Sequence, residues 1–146
     1  MALKRPESVL VVLYDEHHRV LVMQRQDDPD FWQSVTGTIE QGEQPVQTAY
    51  REVCEETGIY LTPADGSLTD HQQINTFVIR QKWRHRYPPG TVYNQEHVFS
   101  AQVSSAGAIR LTEHLAYEWL PKTEALRRLW SPSNREAVEA FVPGAK

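Results

Sequence analysis

Cys54 is the only cysteine in 146 residues, so the chain closes no internal disulfide, and no Cys or His pair has the spacing of a zinc site. That usage fits a reducing, cytoplasmic setting. Long apolar runs are missing too. Near the start, "VLVVLY" from Val9 to Tyr14 is too short for the apolar segment of a secretory leader and far too short to span a bilayer. We expect no membrane partner. Nor is there an excess of positive charge: a formal net charge of −4 argues against a nucleic-acid partner, yet leaves room for a local basic patch that meets a small acidic molecule. Repeats, low-complexity tracts and linkers are absent, and nothing demands an obligate protein partner. With 40% hydrophobic and 23% charged residues, the length suits one globular domain over residues 1–146.

What is present reads as strands around a central helix. "SVLVVLY" (Ser8 to Tyr14) and "RVLVMQR" (Arg19 to Arg25) are β-rich runs joined by the polar "DEHH", a hairpin by pattern. "DDPDFW" interrupts as a loop before "QSVTGTIE" resumes extended character. Pro45 suits the first turn of a helix and Gly58 its end, with Val46, Ala49, Tyr50 and Val53 as an apolar stripe between them. "QINTFVIRQKW", "YNQEHVFSAQV" and "HLAYEWL" are strand-like, and "TEALRRLW" and "SNREAVEAF" helical, the latter opening with Ser133 and Glu136 at capping-box spacing. Such an order predicts a mixed sheet covered on both faces.

The helix carries a puzzle. In "REVCEETG" (Arg51 to Gly58) the residues Glu52, Glu55 and Glu56 stand at i, i+3 and i+4, where a rotation of about 100° per residue crowds them on one side, away from the apolar stripe. Like charges at that spacing weaken a helix. A cation between them would remove the repulsion, and carboxylate oxygens suit Mg²⁺, or Mn²⁺ as a substitute. Taken alone, the stretch could equally be a solvated face with an Arg51–Glu55 pair.

Gly37 and Glu43 decide between these readings. From Gly37 to Ile59 the chain reads "GTIEQGEQPVQTAYREVCEETGI", which fits G-x₅-E-x₇-R-E-U-x-E-E-x-G-U without a gap, U being aliphatic. This resembles the Nudix box, the signature of hydrolases that cleave a nucleoside diphosphate linked to another group. The resemblance implies an α/β (α+β) fold, an α/β/α sandwich with a central mixed β-sheet and a strand–loop–helix–loop motif over residues 37–59. It also implies a catalytic set of Glu43, Arg51, Glu52, Glu55 and Glu56. The last three would be metal ligands, with Glu55 or Glu56 as candidate base and Arg51 tied to Glu43. The chemistry needs them: a diphosphate repels an attacking oxygen unless cations neutralise it and acidify a water.

Outside the box, Glu113 and His114 open the segment "TEHLAYEWL", where this family often adds an acid or base. Glu113 is expected as a further metal ligand or catalytic base and His114 as a substrate contact. Arg80, Lys82, Arg84 and Arg86 alternate, which in a strand would put four cations on one face, either a protected edge or a phosphate-binding row. Lys4, Arg5 and Arg25 are single candidates for phosphate contact.

The approach to the box reads "VTGT" where the superfamily has proline-glycine-glycine, with Thr36 and Thr38 in their places. That departure, with "DDPDFWQSVTG", "RHRYPPG", "TEHLAYEWL" and the "SNR" at Ser133, looks like the bacterial dihydroneopterin triphosphate pyrophosphohydrolases of folate synthesis. The resemblance implies a small-molecule triphosphate substrate. Phe31, Trp32, Phe77 and Trp83 would supply a flat apolar slot for a pterin, and Thr36, Ser133 or Asn134 polar contacts. A nucleotide-pool enzyme with the same box and a different base pocket remains open. A ligand-sensing domain would usually have lost one of the carboxylates, all of which are present.

Overall fold

Val9 to Leu13 are apolar at every position, the pattern of a strand covered on both faces rather than one. In the computed structural model, which describes residues 3–62, 64 and 67–144, each of these side chains is at most 1% exposed. They form the middle of β1 (Glu7–Tyr14). Because successive side chains point to opposite faces, Val9, Val11 and Leu13 join one core with Ala49 and Val53 of helix α1 (Pro45–Thr57). Leu10 and Val12 join a second with Ala125 of α2 (Lys122–Arg128) and Ala137 and Val138 of α3 (Pro132–Phe141). The result is the expected α/β/α sandwich.

The sheet is mixed. β1 runs parallel to β6 (Tyr93–Gln102) from Glu7↔Gln95 to Tyr14↔Gln102, and β6 is antiparallel to β5 (Leu68–Val78). On its other edge β1 meets β2 (Val20–Arg25) only at Tyr14↔Val20. Beyond that point the two strands diverge, and β2 continues against β7 (His114–Leu120). The chain crosses the fork in one stride: β3 (Trp32–Gln33) pairs with β2, Ser34 turns the corner, and β4 (Val35–Thr38) pairs with β1. Ser34 has left both ladders, so its N–H needs another acceptor, and Asn134 Oδ1 accepts it at 2.8 Å. This fork places β4 beside α1 and Ser34, just before it, against Asn134 of α3.

Helix α1 starts with Pro45 at its first turn and ends at Gly58 with φ 77°, whose N–H donates to Cys54 O. Its packed face differs from expectation in one respect. Glu56 is only 5% exposed, whereas Val46 is 38% exposed. Three residues of rotation leave Glu56 about 60° from Val53, so it shares the packed side. Two further expectations are corrected. α3 is capped by Ser131, whose side chain accepts from Asn134 N, with Pro132 following. Ser133 therefore lies inside the helix and is no cap. The alternating cations do not form a strand face: β5 ends at Val78, and Gln81–Arg86 is a 3₁₀ helix. At three residues per turn their side chains fan apart.

Candidate active site

Gly37 on β4 lets α1 come close. A Cβ there would sit 1.7 Å from Glu52 Oε2, so only glycine leaves the carboxylate room against the strand. Arg51 holds the arrangement together. It donates from Nε and Nη2 to the two oxygens of Glu43 (2.7 and 2.9 Å), from Nη2 to Thr38 O (3.2 Å) and from Nη1 to Glu55 (3.2 Å). Glu43 also accepts from Thr48 Oγ1 and Glu40 N, and the Arg51 bonds hold its pKa down to about 2. One guanidinium thus fastens the loop, the strand and the helix with charge-assisted bonds.

The remaining carboxylates line a cleft of about 1000 Å³ with Lys4, Arg25, Glu113 and His114. Burial, then the nearby Glu55 and Glu113, pushes the pKa of Glu52 up, with Arg51 opposing. Glu56 is pushed well up by burial and by Glu52, against a bond from the Thr36 backbone. Glu56 Oε1 is buried with no hydrogen-bond partner, a costly condition for an oxygen acceptor. These anions fit a hard divalent cation, which would supply the missing partner and offset the repulsion. Among the described residues no three acidic or histidine side chains surround one point closely enough to hold it as they stand.

The cleft cations are partly engaged. Arg25 grips Asp27 at 2.7 and 2.6 Å, and Arg86 Nη2 reaches the same carboxylate at 3.1 Å, holding Asp27 well below the usual carboxylate range. Lys4 has its pKa lowered by burial, then by Arg86 and Arg25, while Arg5 pairs with Glu7. Arg80 and Lys82 converge on Asp28, and Arg84 donates to Ile79 O. His114 Nε2 lies 3.1 Å from Gln33 Nε2. Burial and then Arg25 press its pKa down to about 4, so the ring is neutral near pH 7.

A second cavity, of about 650 Å³, opens off the cleft on the α3 side, and the two share Lys4, Arg25, Gln33, Thr36, Gly37, Thr38 and Arg86. Phe31, Phe77, Trp83 and Trp130 line it. Phe31 stacks on Trp130 with centroids 4.7 Å apart, and Arg80 lies over both indoles at 4.8 and 4.6 Å. Thr36, Arg80, Ser133 and Asn134 are also in its wall. Asn134 is bound to Ser34 through both ends of its amide, so only one N–H remains. Trp32 is elsewhere: it packs with the α2–α3 core under Arg128. Trp130, which sequence reasoning passed over as a helix end, takes its place because its N–H donates to Trp32 O at 3.1 Å. Glu96, 5% exposed, was missed as well. Its alternation with Asn94 and Val98 along one strand was a readable signal that polar groups enter a covered face.

Comparison with known proteins agrees with this geometry. A model of the NUDIX domain matches residues 4–141. Dihydroneopterin triphosphate diphosphatase of Escherichia coli K12 is 48% identical over 145 residues, 97% of this chain and 95% of that one. The enzyme of the same name from Haemophilus influenzae is 40% identical over 143 residues, covering 97% and 90%. The solved structure of the E. coli dihydroneopterin triphosphate pyrophosphohydrolase superposes with a TM-score of 0.91 at 47% identity, covering 97% of this chain and 98% of that one.

Proposed function

This chain belongs to the Nudix family, and we propose that it hydrolyses 7,8-dihydroneopterin triphosphate to the monophosphate and pyrophosphate. Nudix hydrolases act on small phosphate compounds with divalent metal ions. Here Glu52, Glu55, Glu56 and Glu113 would hold Mg²⁺, or Mn²⁺ in its place. The observation that carries the reading is the continuity of the two cavities through β4: a carboxylate cleft for the triphosphate opens directly into an aromatic pocket large enough for a bicyclic ring.

Bound in the cleft by these carboxylates, a divalent cation would neutralise phosphate oxygens and lower the pKa of a water. The protein's own part is placement. Lys4, Arg25 and Arg86 meet the phosphate chain, and Arg51 keeps the helix in register with Gly37, so that Glu52 stays against β4. Glu55 or Glu56 accepts the proton of the attacking water; Glu55 is the more exposed, with 55% of its side chain open. Water adds to one phosphorus of the α–β phosphoanhydride, the bridging oxygen leaves with the electron pair of the broken bond, and the products are the monophosphate and pyrophosphate. Gln33 lines both cavities, and neutral His114 lies beside it in the cleft, so together they can bond the substrate without adding charge.

Pyrophosphate release from dihydroneopterin triphosphate, GTP and the deoxynucleoside triphosphates, measured side by side with Mg²⁺ or Mn²⁺ and then with excess EDTA, tests the proposal. The pterin substrate should have the highest kcat/KM and chelation should abolish turnover. A deoxynucleotide turned over as efficiently would make this a nucleotide-pool enzyme.

A further inference from the structure

Glu96 is a buried acid that the hydrolytic chemistry does not use. It projects from β6 into the wall of the aromatic cavity, on the α3 side of the sheet and outside the carboxylate cleft. Its Oε1 accepts from Ser133 Oγ at 2.8 Å and from Asn75 Nδ2 at 3.3 Å. Its Oε2 accepts from no donor among the described residues, and no cation pairs with it there. Burial raises its pKa, with the Ser133 and Asn75 bonds opposing. A carboxyl fixed on one side by two neutral donors and left open towards an aromatic cavity is shaped to receive N–H donors from a flat ligand.

We propose that Glu96 sets the ring specificity of this cavity by accepting paired N–H groups from a heterocycle in which a ring N–H stands beside an exocyclic amino group. That edge is the 2-amino-4-oxo pyrimidine ring common to pterins and guanine. Adenine offers an amino donor beside a ring acceptor, and a 2,4-dioxo pteridine lacks the amino group. Either would leave Glu96 facing an acceptor or an empty position, the arrangement that discriminates most strongly in buried sites. The proposal rests on the reading of the cavity as the ring pocket.

Glu96→Gln keeps size and the acceptor for Ser133 but cannot accept at both positions. It should lower kcat/KM for dihydroneopterin triphosphate and GTP by about 10- to 100-fold while leaving the slower hydrolysis of ATP within about twofold. Equal losses on all three substrates, or no loss on any, would overturn the proposal, since a mere brace for Ser133 has no preference for one ring edge. Binding supplies a second readout that needs neither the variant nor metal. In EDTA, a pterin should quench the wild-type tryptophan fluorescence at concentrations at least about tenfold lower than the matching 2,4-dioxo pteridine, and equal affinities would refute the role of Glu96. A wild-type protein that ignores dihydroneopterin triphosphate but separates GTP from ATP through Glu96 would reject the proposed substrate and keep this inference.

Discussion

The carboxylate cleft and the aromatic cavity share a wall at β4, yet they are built in opposite ways. The cleft takes Glu52, Glu55 and Glu56 from one helix and Gly37 from the strand just before it, while its cations Lys4, Arg25 and Arg86 and the pair Glu113 and His114 come from outside that stretch. The cavity gathers Phe31, Phe77, Trp83, Glu96, Trp130 and Asn134 from segments far apart in the chain. Helix periodicity alone suffices to cluster charges, whereas the aromatic cavity needs strands, a 3₁₀ turn and a helix to meet. Reaction chemistry and ring selection should therefore separate under mutation.

The largest effect is expected at Glu56. Glu56→Gln should lower kcat by about 10²- to 10⁴-fold while the melting temperature stays equal or rises, because a buried anion facing Glu52 has been removed. Near-normal turnover of the folded variant would refute the role given to this helix face. Gly37→Ala strikes the same cleft from the strand side. The new Cβ would lie 1.7 Å from Glu52 Oε2, so the flexible carboxylate must swing away. We expect kcat to fall about 10²-fold with little loss of stability, and steady-state kinetics with thermal melts decide it.

Trp83→Ala should do the reverse. Losing a stacking face should weaken binding of the ring substrate by about 5- to 100-fold, on the scale of roughly 1–3 kcal/mol per aromatic contact. The metal concentration for half-maximal rate should not move. A shifted metal titration would show that cleft and cavity are coupled after all.

The smallest effect is on stability against pH. The His114 pKa is about 4 in the fold against 6.5 for the ordinary side chain, so between these values the unfolded chain binds more protons. Its contribution is therefore complete above pH 6.5 and is lost as the pH falls towards 4. After allowance for solvent screening the loss is about 1–2 kcal/mol. Urea unfolding at pH 7 and pH 4.5 should show a shallower pH dependence for His114→Gln than for the wild type, and identical slopes would count against a buried neutral ring.

Much of this was legible before any coordinates. The unbroken apolar run of β1 implied burial on two faces, and Pro45 and Gly58 marked the limits of α1, because these signals act within a few residues. The regular spacing from Gly37 to Ile59 marked the reactive helix in the same way. Other features depended on partners distant in sequence. Alternation alone made Arg80 to Arg86 look like a strand, but Arg80, Lys82 and Arg86 are drawn to Asp27 and Asp28, Arg84 donates to Ile79 O, and the segment coils. Trp32 and Trp130 could not be told apart as core and pocket, since their places follow from the single step by which Ser34 crosses the fork between β2 and β1. Spacing put Glu56 away from the apolar stripe, but packing buried it. The sequence by itself determined the clustering of carboxylates along α1, because a helix converts spacing into direction without outside help. Only the tertiary structure decided which aromatics and which buried acid line the second cavity, because burial depends on what another part of the chain brings to the same place.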